Sequence, residues 1–181
     1  IKPSEMSALQ TQVIAEALHD ADLPPGVFNI VNGRGDVVGE EIARHPDIAK
    51  ISFTGSSAVG EHLVTAGAAT MKRVTLELGG KSPTVVLEDA DFAGVMPLVL
   101  QAGFANSGQA CIAGTRILVP RARLAEFEQI AREAMSHIKS GDPSKADTDI
   151  GPMVSAKQWE RVQSYIRLGQ AEGAKLLVGG E

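Results

Sequence analysis

Apolar residues recur along this chain with two periods, which predict alternating helices and strands. Over residues 7–20 they return every three or four positions, the spacing of one helix face. Comparable spacing predicts helices over 36–44, 56–66, 89–106, 124–138 and 155–168. Short runs rich in β-branched residues predict strands over 27–31, 48–54, 73–78, 82–87, 116–119 and, at the end, 176–178.

This alternation predicts an α/β fold with parallel strands and helices on both faces of the sheet. The pattern restarts after Gly80, so we expect one unit over residues 1–80 and a second over residues 81–181. The first residues resemble the end of a strand, and the last follow directly on another strand. We therefore expect the chain to be a piece of a longer protein.

Composition excludes several classes of function. The 181 residues carry a net charge of −5 without a basic stripe, which argues against a nucleic-acid partner. No apolar run reaches the ~20 residues that span a membrane. A single cysteine rules out an internal disulfide and fits a reducing, cytoplasmic location. The four histidines are scattered, so no metal site is expected.

Two glycine-rich turns each join a predicted strand to a helix. Gly33, Gly35 and Gly39 form the first turn, whose backbone could approach a phosphate of a dinucleotide at the helix start. Its spacing is one residue longer than that of the usual dinucleotide-binding glycine motif. A turn with a purely structural role explains these glycines equally well. The second turn lies within residues 53–60, where Ser56 could cap the helix or meet a phosphate.

Cys111 lies among small, flexible residues over 106–114, and Glu77 precedes two glycines upstream. A thiol and a carboxylate on such loops could form a nucleophile and a base, although a free cysteine is more often a small buried hydrophobe. The segment Gly80-Lys81-Ser82 is not a phosphate-binding P-loop, since a strand follows it and the earlier glycine is missing. No Gly-x-Ser-x-Gly motif of a serine hydrolase is present.

Five motifs together resemble those of the aldehyde dehydrogenase superfamily, in the order and spacing of that family. They are Lys2-Pro3-Ser4-Glu5, Gly33-x-Gly35-x-x-x-Gly39, Phe53-Thr54-Gly55-Ser56 through Gly60, Glu77-Leu78-Gly79-Gly80-Lys81-Ser82-Pro83, and Gly108-Gln109-x-Cys111-x-Ala113. Each motif is modest alone, but the ordered set is specific, and it runs from end to end of the chain.

The resemblance implies a fold and a reaction. Residues 1–80 would be the C-terminal part of a Rossmann-like NAD-binding domain, and residues 81–181 the N-terminal part of an α/β catalytic domain. Cys111 would attack an aldehyde, and Glu77 would activate the water that hydrolyses the resulting thioester. Family members that pass the acyl group to coenzyme A commonly lack this base. The resemblance therefore implies a hydrolytic enzyme that forms a carboxylic acid.

The resemblance also implies a cofactor site and partners. The expected cofactor-binding residues are Lys2, Ser4, Glu5, Gly35, Gly39, Phe53, Thr54, Gly55, Ser56, Gly60, Leu78 and Gly79. Lys2 and Glu5 would bind the adenosine ribose, and the Glu5 carboxylate would repel a 2′-phosphate, which favours NAD while NADP stays possible. The expected partners are a small-molecule aldehyde and, at full length, further copies in a homodimer or homotetramer.

One departure from the family leaves an alternative open. Family members are far longer, and the asparagine that completes their oxyanion site precedes the position of Ile1. The chain could therefore be a catalytically incompetent fragment or an interaction module, and we expect no measurable dehydrogenase activity from it alone.

Overall fold

The computed structural model describes residues 1–180 and divides the chain into two compact units. The first unit is Ile1–Leu78 and the second is Gly79–Glu181. Each unit holds a two-stranded parallel sheet with helices, so both have the predicted α/β character. The assignment of the two units to cofactor binding and catalysis stays a prediction.

The first unit follows the predicted order of helices and strands. Its elements are α1 (Ala8–Asp20), a π-helical turn (Gly35–Gly39) that runs directly into α2 (Glu40–Arg44), β1 (Lys50–Gly55), α3 (Ser57–Ala68) and β2 (Arg73–Leu78). Strands β1 and β2 are parallel, with Thr54 opposite Glu77. The predicted crossover of two parallel strands through a helix is therefore confirmed.

Helix α3 packs against one face of this sheet. The core there combines Ile51 with Leu63 and Ala66 of α3 and Ala43 of α2. A side chain at Gly60 would place its Cβ 2.9 Å from a methyl of Leu78, so glycine lets the helix approach the strand closely. The other face carries polar side chains such as Thr75 and is exposed in the described chain. The sequence predicted helices on both faces of the sheet, whereas in the first unit helices cover only one face of the described sheet.

The second unit also follows the prediction. Its elements are β3 (Pro83–Val85), α4 (Phe92–Phe104), a 3₁₀ turn (Ala105–Gly108), β4 (Arg116–Leu118), a 3₁₀ turn (Arg121–Arg123), α5 (Leu124–Ser136) and α6 (Ala156–Ala171). Strands β3 and β4 are parallel, with Thr84 opposite Ile117. Pro97 lies inside α4, although its missing N–H weakens a helix interior.

Phe92 is the centre of the core in this unit, with only 1% of its surface exposed. Its ring meets that of Phe127 edge-on at a centroid distance of 5.4 Å. The Arg123 guanidinium covers the ring at 3.8 Å and also donates to the carbonyls of Glu88 and Ala90. Such aromatic and cation–π contacts each contribute on the order of 1 kcal/mol, and here they hold α4 against α5.

Two of the predicted strands do not form within residues 1–180. At 27–31 the chain makes two backbone hydrogen bonds with Ile1, from Val31 at 2.9 Å and to Asn29 at 2.5 Å. These two hydrogen bonds have the pattern of one residue pair in a parallel sheet, and a single pair is too short to make a strand. Near the other end, Leu177 packs against the core and its carbonyl accepts from Arg132 at 2.7 Å. The apolar pattern at 176–178 therefore reflects packing rather than strand pairing.

Two helices expose their apolar side chains. None of residues 8–20 is buried, and Leu9 of α1 is 88% exposed. In α6, Trp159 is 53% exposed although it lies on the predicted apolar face. No helix in residues 1–180 has the length and apolar character needed to cross a membrane.

Candidate active site

Cys111 lies in the loop between α4 and β4 and is exposed to solvent. The structure therefore contradicts the alternative of a buried hydrophobe. No backbone carbonyl within residues 1–180 accepts from the N–H of Cys111. The loop thus presents an accessible thiol together with a free backbone donor, the kind of group that can stabilise a developing oxyanion.

The turn before Cys111 has an unusual backbone conformation. Three consecutive residues have positive φ: Asn106 at 53°, Ser107 at 59° and Gly108 at 70°. Asparagine and glycine tolerate this region, whereas a serine there costs on the order of 1 kcal/mol. Strained conformations of this kind persist only when surrounding contacts enforce them, and they cluster at functional sites.

The end of the Cys111 loop that precedes β4 is held at Gly114 against the end of α4 and against β3. The Gly114 N–H donates to the Ala102 carbonyl at 2.9 Å, and the Thr84 hydroxyl donates to the Gly114 carbonyl at 3.0 Å. A Cβ at Gly114 would lie 2.2 Å from that hydroxyl oxygen, so only glycine fits. These contacts therefore fix the backbone of the loop at Gly114, just before β4 begins.

Glu77 lies in the first unit, at the penultimate position of β2, with its side chain exposed. Parallel pairing sets it opposite Thr54, so the two side chains share the polar face of the sheet. Neighbouring Leu76 turns to the opposite, helix-covered face. The alternation of the strand thus leaves this carboxylate open to solvent and to a reactant.

Lys2, Glu5 and the first glycine turn come together in the first unit. The Lys2 ammonium donates to the Gly33 carbonyl at 2.8 Å, and the Gly35 N–H donates to a Glu5 carboxylate oxygen at 2.7 Å. Lys2 Nζ and Glu5 Oε1 are 4.0 Å apart. Gly39 lies beside the Lys2 stem, since a Cβ there would be 3.9 Å from it. Four predicted cofactor-binding residues, Lys2, Glu5, Gly35 and Gly39, therefore form one cluster although they belong to two separate motifs.

Hydrogen bonds lower the pKa of the Glu5 carboxyl group. Its own backbone N–H and that of Gly35 donate to the carboxylate, which lowers the pKa of the Glu5 side chain. The carboxylate also lies at the start of the helical segment 35–44, where a negative charge is favoured.

We therefore expect Glu5 to titrate below the ordinary glutamate range, as followed by NMR of its carboxyl carbon. Because the pKa is lowered in the folded chain, the stabilisation is complete above the unfolded-state pKa and is lost as pH falls through the folded-state pKa. Gly35→Pro removes one donor at a helix position that tolerates proline, and it should raise the Glu5 pKa. An unchanged titration in this variant would disprove the assigned contact.

The second glycine turn has mainly structural contacts. Ser56 caps α3, its hydroxyl accepting from the Val59 N–H at 3.4 Å. The Phe53 ring folds over Gly55, where a Cβ would lie 2.4 Å from the ring. Gly60 is buried against Leu78, whose side chain points to the helix. A cofactor contact of Leu78 would therefore use its backbone.

The remaining predicted residues lie on exposed segments. Ser4 is in a turn, where its hydroxyl accepts from the Met6 N–H at 3.3 Å. Gly79 begins the second unit and has open space where a side chain would stand. No group of three or more His, Cys, Asp or Glu side chains able to hold a metal occurs within residues 1–180.

Two polar residues beside Cys111 were not predicted as site residues. Ser107 donates to the Gly151 carbonyl at 2.9 Å, and Gln109 accepts from the Val154 N–H at 2.9 Å. Their partners lie 44 and 45 positions further along the chain. Gln109 belongs to the fifth family motif, so the sequence marked its position, whereas the only signal for Ser107 was a polar side chain in the loop before the cysteine.

Known proteins resemble this chain in both sequence and structure. The sequence matches the model of the aldehyde dehydrogenase family over residues 1–181. A 3-succinoylsemialdehyde-pyridine dehydrogenase of Pseudomonas sp. is 46% identical over 180 residues, which are 99% of this chain and 38% of that protein. The chain thus spans well under half the length of the curated relative.

Solved structures give the same result. Aldehyde dehydrogenase C from Pseudomonas syringae, a cysteine-to-alanine variant in complex with NAD+ and octanal, matches with a TM-score of 0.96 at 51% identity, covering 99% of this chain and 37% of that one. Betaine aldehyde dehydrogenase from Staphylococcus aureus in complex with NAD+ matches with a TM-score of 0.96 at 36% identity, covering 99% and 36%. These matches confirm the predicted α/β fold.

The family model, the curated relative and the solved structures agree along almost the whole chain. The chain therefore belongs to the aldehyde dehydrogenase family.

Proposed function

We propose that this chain supplies the nucleophile, the general base and part of the cofactor site of an NAD-dependent aldehyde dehydrogenase that forms a carboxylic acid. The observation that carries the proposal is the exposed Cys111 thiol, presented by a strained and hydrogen-bonded loop. Family membership makes this thiol, the only one in the chain, the candidate for covalent chemistry.

Cys111 begins the reaction. Its thiolate adds to the aldehyde carbon, so that a C–S bond forms and the carbonyl oxygen becomes an oxyanion. The free backbone N–H of Cys111 can donate to that oxygen. Loss of a hydride from the same carbon leaves an acyl thioester on the cysteine. NAD+ supplies the hydride acceptor when bound.

Glu77 completes the reaction. Its exposed carboxylate takes a proton from a water molecule as that water attacks the thioester carbon. The C–S bond breaks, and a carboxylic acid and the Cys111 thiol are released. Glu77 belongs to the first unit and Cys111 to the second, so the proposal assigns one of the two roles to each unit.

The first unit fits the ribose of NAD+. A carboxylate offers about four lone-pair positions, and the backbone N–H groups of Glu5 and Gly35 use two of them, which leaves the others for ribose hydroxyls. The Glu5 side chain is 48% exposed, and the adjacent Lys2 ammonium, which already donates to the carbonyls of Pro3 and Gly33, keeps one N–H for a ligand. The carboxylate disfavours a 2′-phosphate, which is the basis for proposing NAD rather than NADP.

The substrate is a small-molecule aldehyde of a class that these residues do not specify. The homodimer or homotetramer and the cytoplasmic location stay predictions. A second candidate function is a non-catalytic interaction module, and exposed apolar side chains on two helices favour it: Leu9 of α1 at 88% and Tyr165 of α6 at 60%.

A chimera tests the proposed function. In the chimera, this chain replaces the matching segment of the aldehyde dehydrogenase C from P. syringae. Cys111 thereby takes the place of that enzyme's own cysteine. We expect NADH formation from octanal by the chimera and none by the 181-residue chain alone. The parent enzyme is the positive control. A chimera that unfolds cooperatively and binds NAD+ but forms no NADH would disprove the proposal and favour the interaction module.

A further inference from the structure

The side chain of Gln109 uses both ends of its amide within the Cys111 loop. Its Nε2 group donates to the Asn106 carbonyl at 3.1 Å, and its Oε1 accepts from the Val154 N–H at 2.9 Å. In the reverse direction, the Asn106 side chain donates to the Gln109 carbonyl at 3.1 Å. One side chain therefore closes the strained turn and fastens it to a distant segment.

Ser107 makes a second, parallel connection. Its hydroxyl donates to the Gly151 carbonyl at 2.9 Å, three residues before the partner of Gln109. Ile150, directly before Gly151, is held by backbone hydrogen bonds: its carbonyl accepts from the Gly141 N–H, and its N–H donates to the Lys139 carbonyl. The segment that accepts these two contacts therefore begins at a residue that is held within the second unit.

These contacts explain how the strained turn persists. Positive φ at Asn106 and Ser107 needs external support, and the hydrogen bonds of Asn106, Ser107 and Gln109 supply it. Gln109 and Ser107 are partly buried, whereas Cys111 two residues later is exposed. The anchored residues thus form a base from which the thiol projects.

We propose that Gln109 is a positioning residue for Cys111, with Ser107 as its auxiliary. Gln109 holds the turn 106–109 in one conformation and ties it to Val154, so that the thiol and the backbone N–H of Cys111 keep a fixed direction. The catalytic consequence rests on the proposed function, whereas the anchoring itself does not.

The lone cysteine makes the test specific, because alkylation of the 181-residue chain reports on Cys111 only. The rate of reaction with iodoacetamide, measured across pH, separates the pKa of the thiol from the intrinsic rate of its thiolate. In Gln109→Met we expect that intrinsic rate to move by about threefold or more toward the value of the urea-unfolded chain. We also expect faster hydrogen exchange of the Val154 N–H.

Gln101→Met is the matched control, since Gln101 is exposed on α4 and it should change neither measurement. Gln109→Glu keeps the acceptor for Val154 and loses the donor to Asn106, so it should restore slow exchange at Val154. If Gln109→Met fails to fold, Ser107→Ala removes only the Gly151 connection and should shift the intrinsic rate in the same direction.

Three results would overturn the inference: an unchanged thiolate rate in a folded Gln109→Met chain, an equal change in Gln101→Met, or faster exchange at Val154 without any change at Cys111. Since none of these measurements needs aldehyde turnover, failure of the anchoring and failure of the proposed dehydrogenase function are distinguishable.

Discussion

Cys111→Ala should abolish NADH formation by the chimera, with a loss of turnover on the order of 10⁴-fold or more. Alanine cannot form the C–S bond, so neither the hydride-donating adduct nor the thioester arises. The loss should appear in kcat, measured as the rate of NADH formation with saturating octanal and NAD+. We expect Cys111→Ser to be almost as inactive, because a serine hydroxyl is a much weaker nucleophile than a thiolate.

The inactive variant should otherwise resemble the parent chimera. Cys111 is exposed and packs against little, so its thermal unfolding and its affinity for NAD+ should stay unchanged. Turnover within tenfold of the chimera would exclude Cys111 as the nucleophile. If turnover fell because the variant unfolds, the cause would be the lost structure of the loop and not the missing thiol.

Glu77→Gln should separate the two halves of the reaction. Glutamine cannot take a proton from water, so we expect a burst of about one NADH per Cys111 and then a steady rate lower by ~10²- to 10⁴-fold. Stopped-flow absorbance of NADH measures both phases. Mass spectrometry after the burst should show the octanoyl group attached to Cys111, because the thioester then waits for hydrolysis.

Glu61→Gln is the control for this experiment. Glu61 is also an exposed carboxylate of the first unit, on α3, and its replacement should leave both phases unchanged. An unaltered steady rate in Glu77→Gln would refute the assignment of the base. A missing burst would place Glu77 before hydride transfer and would equally contradict the assigned role.

Local periodicity predicted most elements of both units correctly. The helix over 7–20, the strand over 73–78 and the cap at Ser56 appear in the structure within about two residues of their predicted positions. Each of these features depends on residues only a few positions apart, so the local sequence contains the information that predicts it. The strands predicted at 27–31 and 176–178 failed, because a strand needs a neighbour along its length and the pattern alone does not supply one.

The candidate site likewise combines features that the sequence predicted and features that only the structure showed. The motifs around Glu5, Glu77 and Cys111 could be named from the sequence, and the family membership they implied is confirmed. That Glu5 bonds to Gly35, 30 positions away, could not be foreseen from either motif. The exposure of Cys111 was likewise undecided, since the pattern fitted a buried residue as well.

Order and spacing along the chain were thus enough for the family, the alternation of helices and strands, and the identity of the candidate nucleophile and base. Only the folded chain showed that Gln109 reaches Val154, that Thr54 lies opposite Glu77, and that the turn before Cys111 adopts a left-handed conformation. The physical reason is that side-chain hydrogen bonds and strand register join residues distant in sequence, and their energies depend on a geometry that no local pattern encodes.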